Sequence, residues 1–293
     1  MRRHLLVLVL SLVCAACARP TEPRRIAITL DDAPVAKPLS YASDWERRVA
    51  VDSLTATLTR FGVPATVFAI GSELSDPSVA SLLNVWAAAG LSVANHSVSH
   101  QSFNQLSHAD GVREMAQGQA IISRLVAPVS ISRYFRFPFL EEGATIQARD
   151  RWMASLDSLA LRSAPVSITT DDWRFDNRYM AAEEAGNWEL RYEIGQEYLA
   201  HVKESIRHWD GLAVELYDRN VRHVLMLHAN RINRDYLSQI LEWLQGEGFG
   251  FITIDEAYQD DLYMEPTTWR GDSGVSLLES IKQSRISRGA YGA

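Results

Sequence analysis

The 293-residue chain has little cysteine, no excess of basic charge and no apolar run long enough to span a membrane. Its two cysteines, Cys14 and Cys17, lie near the N-terminus, so the body of the chain can form neither a disulfide nor a thiolate metal site. Lysine and arginine number 29 against 36 acidic residues, a formal charge of −7. This balance argues against a nucleic-acid partner, because affinity for phosphates comes mainly from basic side chains. The hydrophobic content of 47% is enough for a folded core.

Residues 1–17 have the layout of a signal peptide for export. Two arginines precede a short apolar run at residues 5–13, far below the ~20 residues of a membrane span, and small residues follow. Ala15-Ala16-Cys17 is similar to a bacterial lipoprotein processing site, although Cys14 stands where Leu or Val is usual. Ala16-Cys17-Ala18 also fits ordinary cleavage. We expect export from a bacterial cell to the periplasm or envelope, with membrane contact only through a lipid anchor on Cys17 in the lipoprotein case.

From residue 24 onward, short β-type segments alternate with amphipathic helical segments. Apolar and β-branched content predicts seven strands, at residues 26–30, 65–70, 91–95, 133–138, 166–170, 223–227 and 249–254. Mostly short links predict parallel strands with right-handed crossovers. The expected fold class is therefore α/β, either a barrel or a doubly wound sheet. Residues 177–221 are expected to form a long helical insertion that could roof the groove, and residues 261–293 a C-terminal tail that wraps the surface or frays.

Helix boundaries are marked by capping residues. Ser43 with Glu46 three residues later forms a capping-box pattern, and Asp76 before a proline predicts the start of another helix. Asn233 is expected to cap the helix that follows the sixth strand. Gly62 supplies a left-handed stop after the first helix.

Unusual polar residues follow five of the predicted strands. They are Asp31 and Asp32 after the first strand, His96 and His100 after the third, Arg136 at the end of the fourth, Asp171, Asp172 and Trp173 after the fifth, and His228 at the end of the sixth. Because the carboxyl ends of parallel strands share one face, we expect these side chains to line a common mouth.

Two histidines in this set have the spacing of metal ligands. His96 and His100 are four residues apart, so on a helix they would share one face and could bind one metal ion. Taken alone, the pair could equally be two solvated histidines of a surface helix. With Asp32 the set becomes two histidines and a carboxylate, which leaves positions open for water and substrate, as in catalytic zinc sites. Iron(II), cobalt and manganese suit it as well.

The other polar residues suggest acid–base chemistry. Adjacent Asp31 and Asp32 on an extended segment point in opposite directions, so one can bind a metal while the other acts as a general base. Arg136 could hold Asp31 ionised or form an ordinary salt bridge elsewhere. His228 could be a core residue of its apolar strand, or Asp172 could raise its pKa and make it a general acid.

The remaining aromatic and histidine residues are assigned from their local context. Trp173 is either a core residue or a wall on which substrate stacks, and its position next to an acid favours the wall. Four histidines lie in polar or helical contexts and are expected to be solvated. They are His108, His201, His208 and His223.

These residues resemble the signature motifs of the polysaccharide deacetylase family, also called the NodB-homology family or carbohydrate esterase family 4. The resemblance covers residues 24–260 and rests on five segments in order: Thr29-Leu30-Asp31-Asp32, His96-Ser97-Val98-Ser99-His100, Arg136-Phe137-Pro138-Phe139, Asp171-Asp172-Trp173 and Leu227-His228. It implies a catalytic domain folded as a distorted (β/α) barrel of about seven parallel strands.

The resemblance also implies a role for each motif residue. Asp31 would be the catalytic base, Arg136 its partner and His228 the general acid, with Asp172 beside it. Asp32, His96 and His100 would be the metal ligands. The backbone amide of Phe139 would help to bind the oxyanion of the substrate.

The implied function is that of a metal-dependent hydrolase in which water at the metal removes N-acetyl groups from an N-acetylglucosamine-containing glycan. Zn²⁺ is the expected ion, with Co²⁺, Mn²⁺, Fe²⁺ and Ni²⁺ as alternatives. The same site could hydrolyse O-acetyl esters or a non-sugar amide, and a non-catalytic surface glycan-binding protein is the hypothesis of another class. Phe139 stands where the family usually has Tyr and Asn230 where Asp is common, departures that bear on substrate rather than on chemistry.

Overall fold

The computed structural model describes residues 22–270 and 275–289, in which a curved sheet of parallel strands is surrounded by helices. The predicted signal peptide and lipid anchor lie outside the described residues. Among the residues that are described, no helix combines the length and the apolar character needed to cross a membrane.

The sheet has seven strands with the order β5-β4-β3-β2-β1-β6, and β7 pairs with the first two residues of β1. All of these strand pairs are parallel. The strands are β1 (Arg25–Ala33), β2 (Thr66–Ala69), β3 (Ser92–Asn95), β4 (Ile131–Phe135), β5 (Arg162–Ser163), β6 (Arg222–His228) and β7 (Gly250–Phe251).

Helices connect the strands and cover the outer face of the sheet. They are α1 (Asp44–Arg60), α2 (Pro77–Ala88), α3 (His108–Leu125), α4 (Ile146–Ser158), α5 (Asp172–Glu184), α6 (Trp188–Tyr217), α7 (Arg231–Gly246), α8 (Ile254–Ala257) and α9 (Leu277–Ser287).

Capping residues set the helix starts, with one correction to the sequence prediction. Ser43 accepts a hydrogen bond from the Glu46 amide and Asp76 caps α2, as predicted. The cap of α7 is Asn230 rather than Asn233, because Asn230 has an extended backbone and its side chain accepts from the Asn233 amide. Asn233 is instead the third helical residue, which turns its side chain into the protein interior.

The predicted fifth strand, at residues 166–170, is not a regular strand. The chain pairs with β4 only at Arg162–Ser163 and then crosses to β6, where Ile168 forms one parallel bridge with Leu225. Pro165, which has no N–H to donate to a ladder, lies between the two pairings. The bridge joins the two ends of the sheet, so the barrel is closed at a single point and is distorted rather than regular.

Side-chain alternation along the strands separates two apolar layers. Ile26, Ile28 and Leu30 of β1 belong to the large cluster between the sheet and the helices. Ala27 belongs to a second cluster inside the barrel, which also contains residues of the other long strands and of the segments after β5 and β7: Phe68, Ala94, Tyr134, Ala164, Val166, Val224, Ile252, Ile254 and Ala257. Near the carboxyl ends of the strands, the residues that face the barrel interior are polar, and they form the site described below.

The insertion and the tail are both helical. The predicted helical insertion forms α5 and α6, which pack against each other and against α7. The described part of the tail does not fray, because Leu278 and Ile281 of α9 are buried against Leu212 and Leu216 of α6. The sequence prediction underestimated the tail because its few apolar residues are spaced along one helix face.

Close packing between α6 and α7 gives a stability prediction. Tyr236 of α7 lies across Gly195 of α6, where an added Cβ would be 1.9 Å from the tyrosine hydroxyl oxygen. We expect Gly195→Ala to lower the free energy of unfolding by about 1–3 kcal/mol, because a well-packed contact has to shift. Urea denaturation measures the change.

Gly211 of the same helix provides the matched control, because a Cβ added there meets no atom within 4 Å. Gly211→Ala should raise the free energy of unfolding by up to about 1 kcal/mol, since alanine favours helix. Equal effects of the two substitutions would contradict the packing described here.

Candidate active site

A buried ion pair lies at the carboxyl end of the barrel interior. Arg136 is 1% exposed and follows β4; its Nη1 donates to Asp31 Oδ2 at 3.4 Å and its Nη2 to Thr29 Oγ1 at 3.2 Å. The guanidinium lies 4.4 Å from the centroid of the Phe68 ring. Burial raises the pKa of Asp31 above its ordinary value, and the positive charge of Arg136 opposes that rise. Asp31 is thus a desolvated carboxylate with a fixed cationic partner, and its Oδ1 has no hydrogen-bond partner.

Asp31 and Asp32 converge on one point, so the expectation that they point in opposite directions is wrong. Asp32 has a φ of 59°, in the left-handed region, and the register between β1 and β2 shifts between Leu30 and Ala33. Because the backbone is not extended at Asp32, alternation fails there. Asp31 Oδ2 and Asp32 Oδ1 lie 3.9 and 3.6 Å from Nε2 of His96.

Asp32, His96 and His100 form a set of three ligand atoms that all lie within 4.8 Å of one another. Asp32 Oδ1 is 3.6 Å from Nε2 of His96 and 3.5 Å from Nε2 of His100. This oxygen is buried and has no hydrogen-bond partner, which is costly unless a cation or a proton compensates it. Two imidazole nitrogens and a carboxylate oxygen are the donors of a catalytic metal site, so the residues fit a divalent cation.

His96 is oriented for this role by the backbone. Its Nδ1 donates to the carbonyl oxygen of Arg136 at 2.8 Å, which leaves the lone pair of Nε2 directed at the ligand set. Burial lowers the pKa of His96 to about 3, so the ring is neutral. A neutral imidazole is the form that binds metal.

The two histidines lie on a loop and not on the helix that their spacing suggested. Ser97 and His100 have φ values of 67° and 53°, and their rings are brought to a centroid distance of 4.8 Å by this turn. Side chains bind every backbone N–H of the turn: Asn95 Oδ1 accepts from Ser97, Glu114 Oε2 from Val98 and Ser99, and Ser97 Oγ from His100. The loop is therefore held in one conformation by hydrogen bonds.

Sequence reasoning missed Glu114, which lies on α3 and accepts from Val98 at 2.8 Å and from Ser99 at 2.7 Å. A signal for it exists, because Glu114 lies beside the buried stripe of α3 that contains Gly111, Met115 and Gly118. An acid next to a buried stripe needs a partner inside the protein. Gly118 is required on this face, since a Cβ there would be 2.4 Å from Asn95 Oδ1.

A second charged pair joins α5 to β6. Nδ1 of His228 donates to Asp172 Oδ1 at 2.6 Å, and the backbone N–H of His228 donates to Asp172 Oδ2 at 2.8 Å. Burial alone would lower the pKa of His228, but Asp172 raises it to about 10. Burial alone would likewise raise the pKa of Asp172, but His228 holds it below its ordinary value. His228 pairs in register with Asp31 across β6 and β1, so the cationic ring lies beside the buried carboxylate.

Two aromatic residues near these groups, one in space and one in sequence, have exposed side chains. Phe139 is 55% exposed, and its ring lies 4.7 Å from that of His100 at an angle of 69°. Trp173 follows Asp172 and is 49% exposed, which excludes the core alternative for this residue. Phe139 and Leu140 both have a φ of 57°, so the chain turns sharply as it passes the ligand set.

One prediction about the other histidines is wrong. His223 is fully buried and lies 3.1 Å from Ser167 Oγ and 3.2 Å from Asp210 Oδ1. Ser167 is also fully buried, so this Ser–His–Asp arrangement has no access to a substrate and ties β6 to α6 and to the segment after β5. A histidine at the start of an apolar strand was the available signal for burial.

The hydrogen bonds of Glu114 generate a prediction about metal affinity. Glu114→Ala leaves the amides of Val98 and Ser99, in the loop that contains both histidines, without an acceptor. We therefore expect divalent-metal affinity to fall about 10- to 100-fold, as for other residues that orient metal ligands. Competition with a chromophoric chelator measures the affinity. Gln117→Ala, at an exposed position of the same helix, should leave it unchanged. An unchanged affinity in the Glu114 variant would show that the loop is held without it.

The family model for polysaccharide deacetylase matches residues 18–153, which contain the first three of the five motifs.

Solved structures with the same fold include a family 4 carbohydrate esterase from Streptomyces lividans in complex with acetate. It is 20% identical, with a TM-score of 0.52 over 80% of this chain and 95% of that one. The peptidoglycan deacetylase PdaC from Bacillus subtilis is 18% identical, with a TM-score of 0.52 over 91% and 95% of the two chains. BA3943 from Bacillus anthracis, described as a family 4 pseudoenzyme, is 15% identical, with a TM-score of 0.56 over 81% and 66%.

These structures share the parallel, barrel-like sheet described above, which confirms the predicted fold class. At 15%, 20% and 18% identity, these structures show the fold alone. The match of residues 18–153 to the family model, which spans less than half of the chain, and the solved structures of family 4 carbohydrate esterases together bear out the resemblance to the polysaccharide deacetylase family.

Proposed function

We propose that this protein is a metal-dependent deacetylase that removes N-acetyl groups from an N-acetylglucosamine-containing glycan. One observation carries the proposal: an Asp–His–His donor set, a buried carboxylate paired with arginine and a cationic histidine meet at one mouth. A similar structure is that of a pseudoenzyme, so the fold alone does not imply activity. The proposal therefore rests on the side chains, and the names of the peptidoglycan deacetylases support the substrate class.

Asp32, His96 and His100 would hold the divalent cation, and we propose Zn²⁺, with Co²⁺, Mn²⁺, Fe²⁺ and Ni²⁺ as alternatives that the same donors accept. The bound ion would supply Lewis-acid polarisation of the amide carbonyl and of the attacking water.

Asp31 is the proposed general base. Arg136 keeps its carboxylate ionised and oriented, while burial raises its pKa and so makes it a stronger proton acceptor than a solvated aspartate. In the proposed reaction Asp31 takes a proton from water as the oxygen attacks the acetyl carbonyl carbon. The backbone N–H of Phe139 would stabilise the negative charge that develops on the carbonyl oxygen.

His228 is the proposed general acid. Asp172 keeps the imidazole protonated at neutral pH and fixes its Nδ1, which leaves the proton on Nε2 for the substrate. The C–N bond breaks as this proton passes to the leaving amine, and the products are acetate and the free amino sugar. Phe139 and Trp173 would each offer an exposed ring on which a sugar can stack.

Export to the cell envelope, proposed from residues 1–17, would bring the enzyme to such glycans. The same site could instead act on O-acetyl esters or on a non-sugar amide. An O-acetyl ester differs from the proposed N-acetyl glycan in its leaving group, and a non-sugar amide differs in the molecule that carries the acyl group. A glycan-binding protein would not need a buried base beside its metal ligands.

The test is the release of acetate from N-acetylglucosamine oligomers and from peptidoglycan by the purified protein loaded with Zn²⁺. We expect release that a chelator abolishes and that Zn²⁺ restores. Asp31→Asn should lower the rate at least about 100-fold, because the base is lost, and should still bind the metal, because the three ligands remain.

The other outcomes have distinct meanings. Near-normal rates in the Asp31 variant would contradict its role as the base. Acetate release from O-acetyl esters alone would replace the amide substrate with an ester. Glycan binding without any acetate release would favour the non-catalytic hypothesis.

The His228–Asp172 pair predicts how the rate depends on pH. His228 has to carry its proton, so the rate should fall as pH rises through its pKa of about 10. Asp172→Asn removes the negative charge that raises this pKa, so the falling limb of kcat/KM should move to lower pH. A pH profile of both proteins measures the shift, and a limb that does not move would exclude His228 as the general acid.

A further inference from the structure

We propose that Tyr198 of α6 and Asn233 of α7 are positioning residues for the general acid, which they hold through Asp172. The inference rests on the proposed function and extends it to the helical insertion. It assigns α6 a task in catalysis, although no residue of α6 belongs to the donor set or to the ion pairs at the mouth.

The carboxylate of Asp172 has a full set of donors. Oδ1 accepts from Nδ1 of His228, while Oδ2 accepts from the His228 amide at 2.8 Å, from Asn233 Nδ2 at 2.6 Å and from Asn230 Nδ2 at 3.3 Å. An ionised carboxylate has about four acceptor sites, so these bonds fix both its charge and its rotation. The orientation of the His228 ring therefore depends on how Asp172 is held.

Asn233 donates one of the two shortest of these hydrogen bonds to Asp172. Its backbone and its side chain are both held by hydrogen bonds. It is fully buried, and its backbone N–H donates to Asn230 Oδ1 at 3.0 Å. Its Nδ2 donates to Asp172 Oδ2 and also to the carbonyl oxygen of His228 at 2.9 Å. Because both partners are acceptors, the amide nitrogen has to face them and the amide oxygen has to face away.

Tyr198 supplies the donor for that oxygen. Its side chain is fully buried in the main core cluster, and its hydroxyl donates to Asn233 Oδ1 at 2.5 Å. Burial and the negative charges of Asp172 and Asp176 raise the pKa of Tyr198 well above its ordinary value, so the hydroxyl stays neutral and remains a donor. With this bond every polar atom of the Asn233 side chain is satisfied, and one amide orientation is selected.

A chain of hydrogen bonds thus runs from Tyr198 through Asn233 and Asp172 to His228. Without the tyrosine hydroxyl, the buried amide oxygen of Asn233 loses its donor, and the bond to Asp172 is no longer held in one geometry. We expect this change to slow proton transfer from His228 to the leaving amine. An amine can leave only after it accepts a proton, whereas the phenolate of an aryl ester is a good leaving group without one.

Tyr198→Phe tests the inference, because it removes one hydroxyl and keeps the aromatic packing. Two substrates are compared with the Zn²⁺-loaded protein: N-acetylglucosamine oligomers and p-nitrophenyl acetate, the latter measured as the chelator-sensitive rate. We expect kcat on the amide to fall about 10-fold or more with little change in KM, since general acids contribute 10²–10⁴-fold in all. The rate on the aryl ester should stay within about twofold of the wild-type rate.

Tyr179→Phe is the matched control. Tyr179 is a buried tyrosine of α5 whose hydroxyl donates to the Asp235 carboxylate of α7 at 2.7 Å, outside the Asp172 network. This variant should lose at least as much stability as Tyr198→Phe, because its acceptor is charged, and should keep the wild-type ratio of amide to ester rates. Asn233→Leu should show the same selective loss as Tyr198→Phe, and if it does not fold, the tyrosine variant decides.

The outcomes separate the two levels of the argument. Equal losses on amide and ester, or equal effects of Tyr198→Phe and Tyr179→Phe, would mean that Tyr198 is only structural and would overturn this inference while the proposed function stands. A wild-type protein with no activity on the amide would overturn the proposed function, and this inference with it.

Discussion

The site depends on one buried charge, the guanidinium of Arg136 inside the barrel. Such a charge needs a partner: Asp31 accepts from Nη1 and Thr29 accepts from Nη2, whereas Nε is buried without a hydrogen-bond partner. The same residue accepts from His96 through its backbone carbonyl, so it orients a metal-ligand candidate as well as the base candidate. Replacing the arginine side chain would leave the buried Asp31 carboxylate without a compensating charge, whereas the backbone carbonyl that accepts from His96 would remain. Arg136 therefore orients the base candidate through its side chain and a metal-ligand candidate through its backbone carbonyl.

Side-chain alternation along the strands places these groups on the inner face of the barrel. Residues two apart face the same side, so the small or aromatic inner residues Ala94 and Tyr134 are followed, two positions on, by His96 and Arg136. Parallel pairing then brings the carboxyl ends together, and the register of β1 with β6 sets Asp31 beside His228. A shift of one residue in that register would turn a polar side chain into the outer apolar layer. The main core thus enforces the geometry of the mouth.

Apart from β5, sequence patterns predicted the strands and the residues at their ends, because alternation, β-branched content and strand-end position are local properties. They failed where distant partners decide. His96 and His100 lie on a turn whose amides are bound by Asn95 and Glu114. The cap of α7 is Asn230, and Asn233 inside the helix donates to Asp172. The burial of His223 likewise depends on Ser167 and Asp210, which are remote in sequence. The polar residues of the mouth could be found from the sequence, whereas the residues that hold them could not.

The sharp turns around the mouth have an energetic consequence. Six non-glycine residues there have positive φ: Asp32, Ser97, His100, Phe139, Leu140 and Asp171. Non-glycine residues in this region cost on the order of 1 kcal/mol each, and the remainder of the barrel has to offset the sum. Glycine at Leu140 would relieve part of that strain and would also free the turn beside His100. The strained backbone of the fold is therefore concentrated at the candidate active site. Substitutions that relieve this strain would stabilise the protein but would alter the geometry of the site.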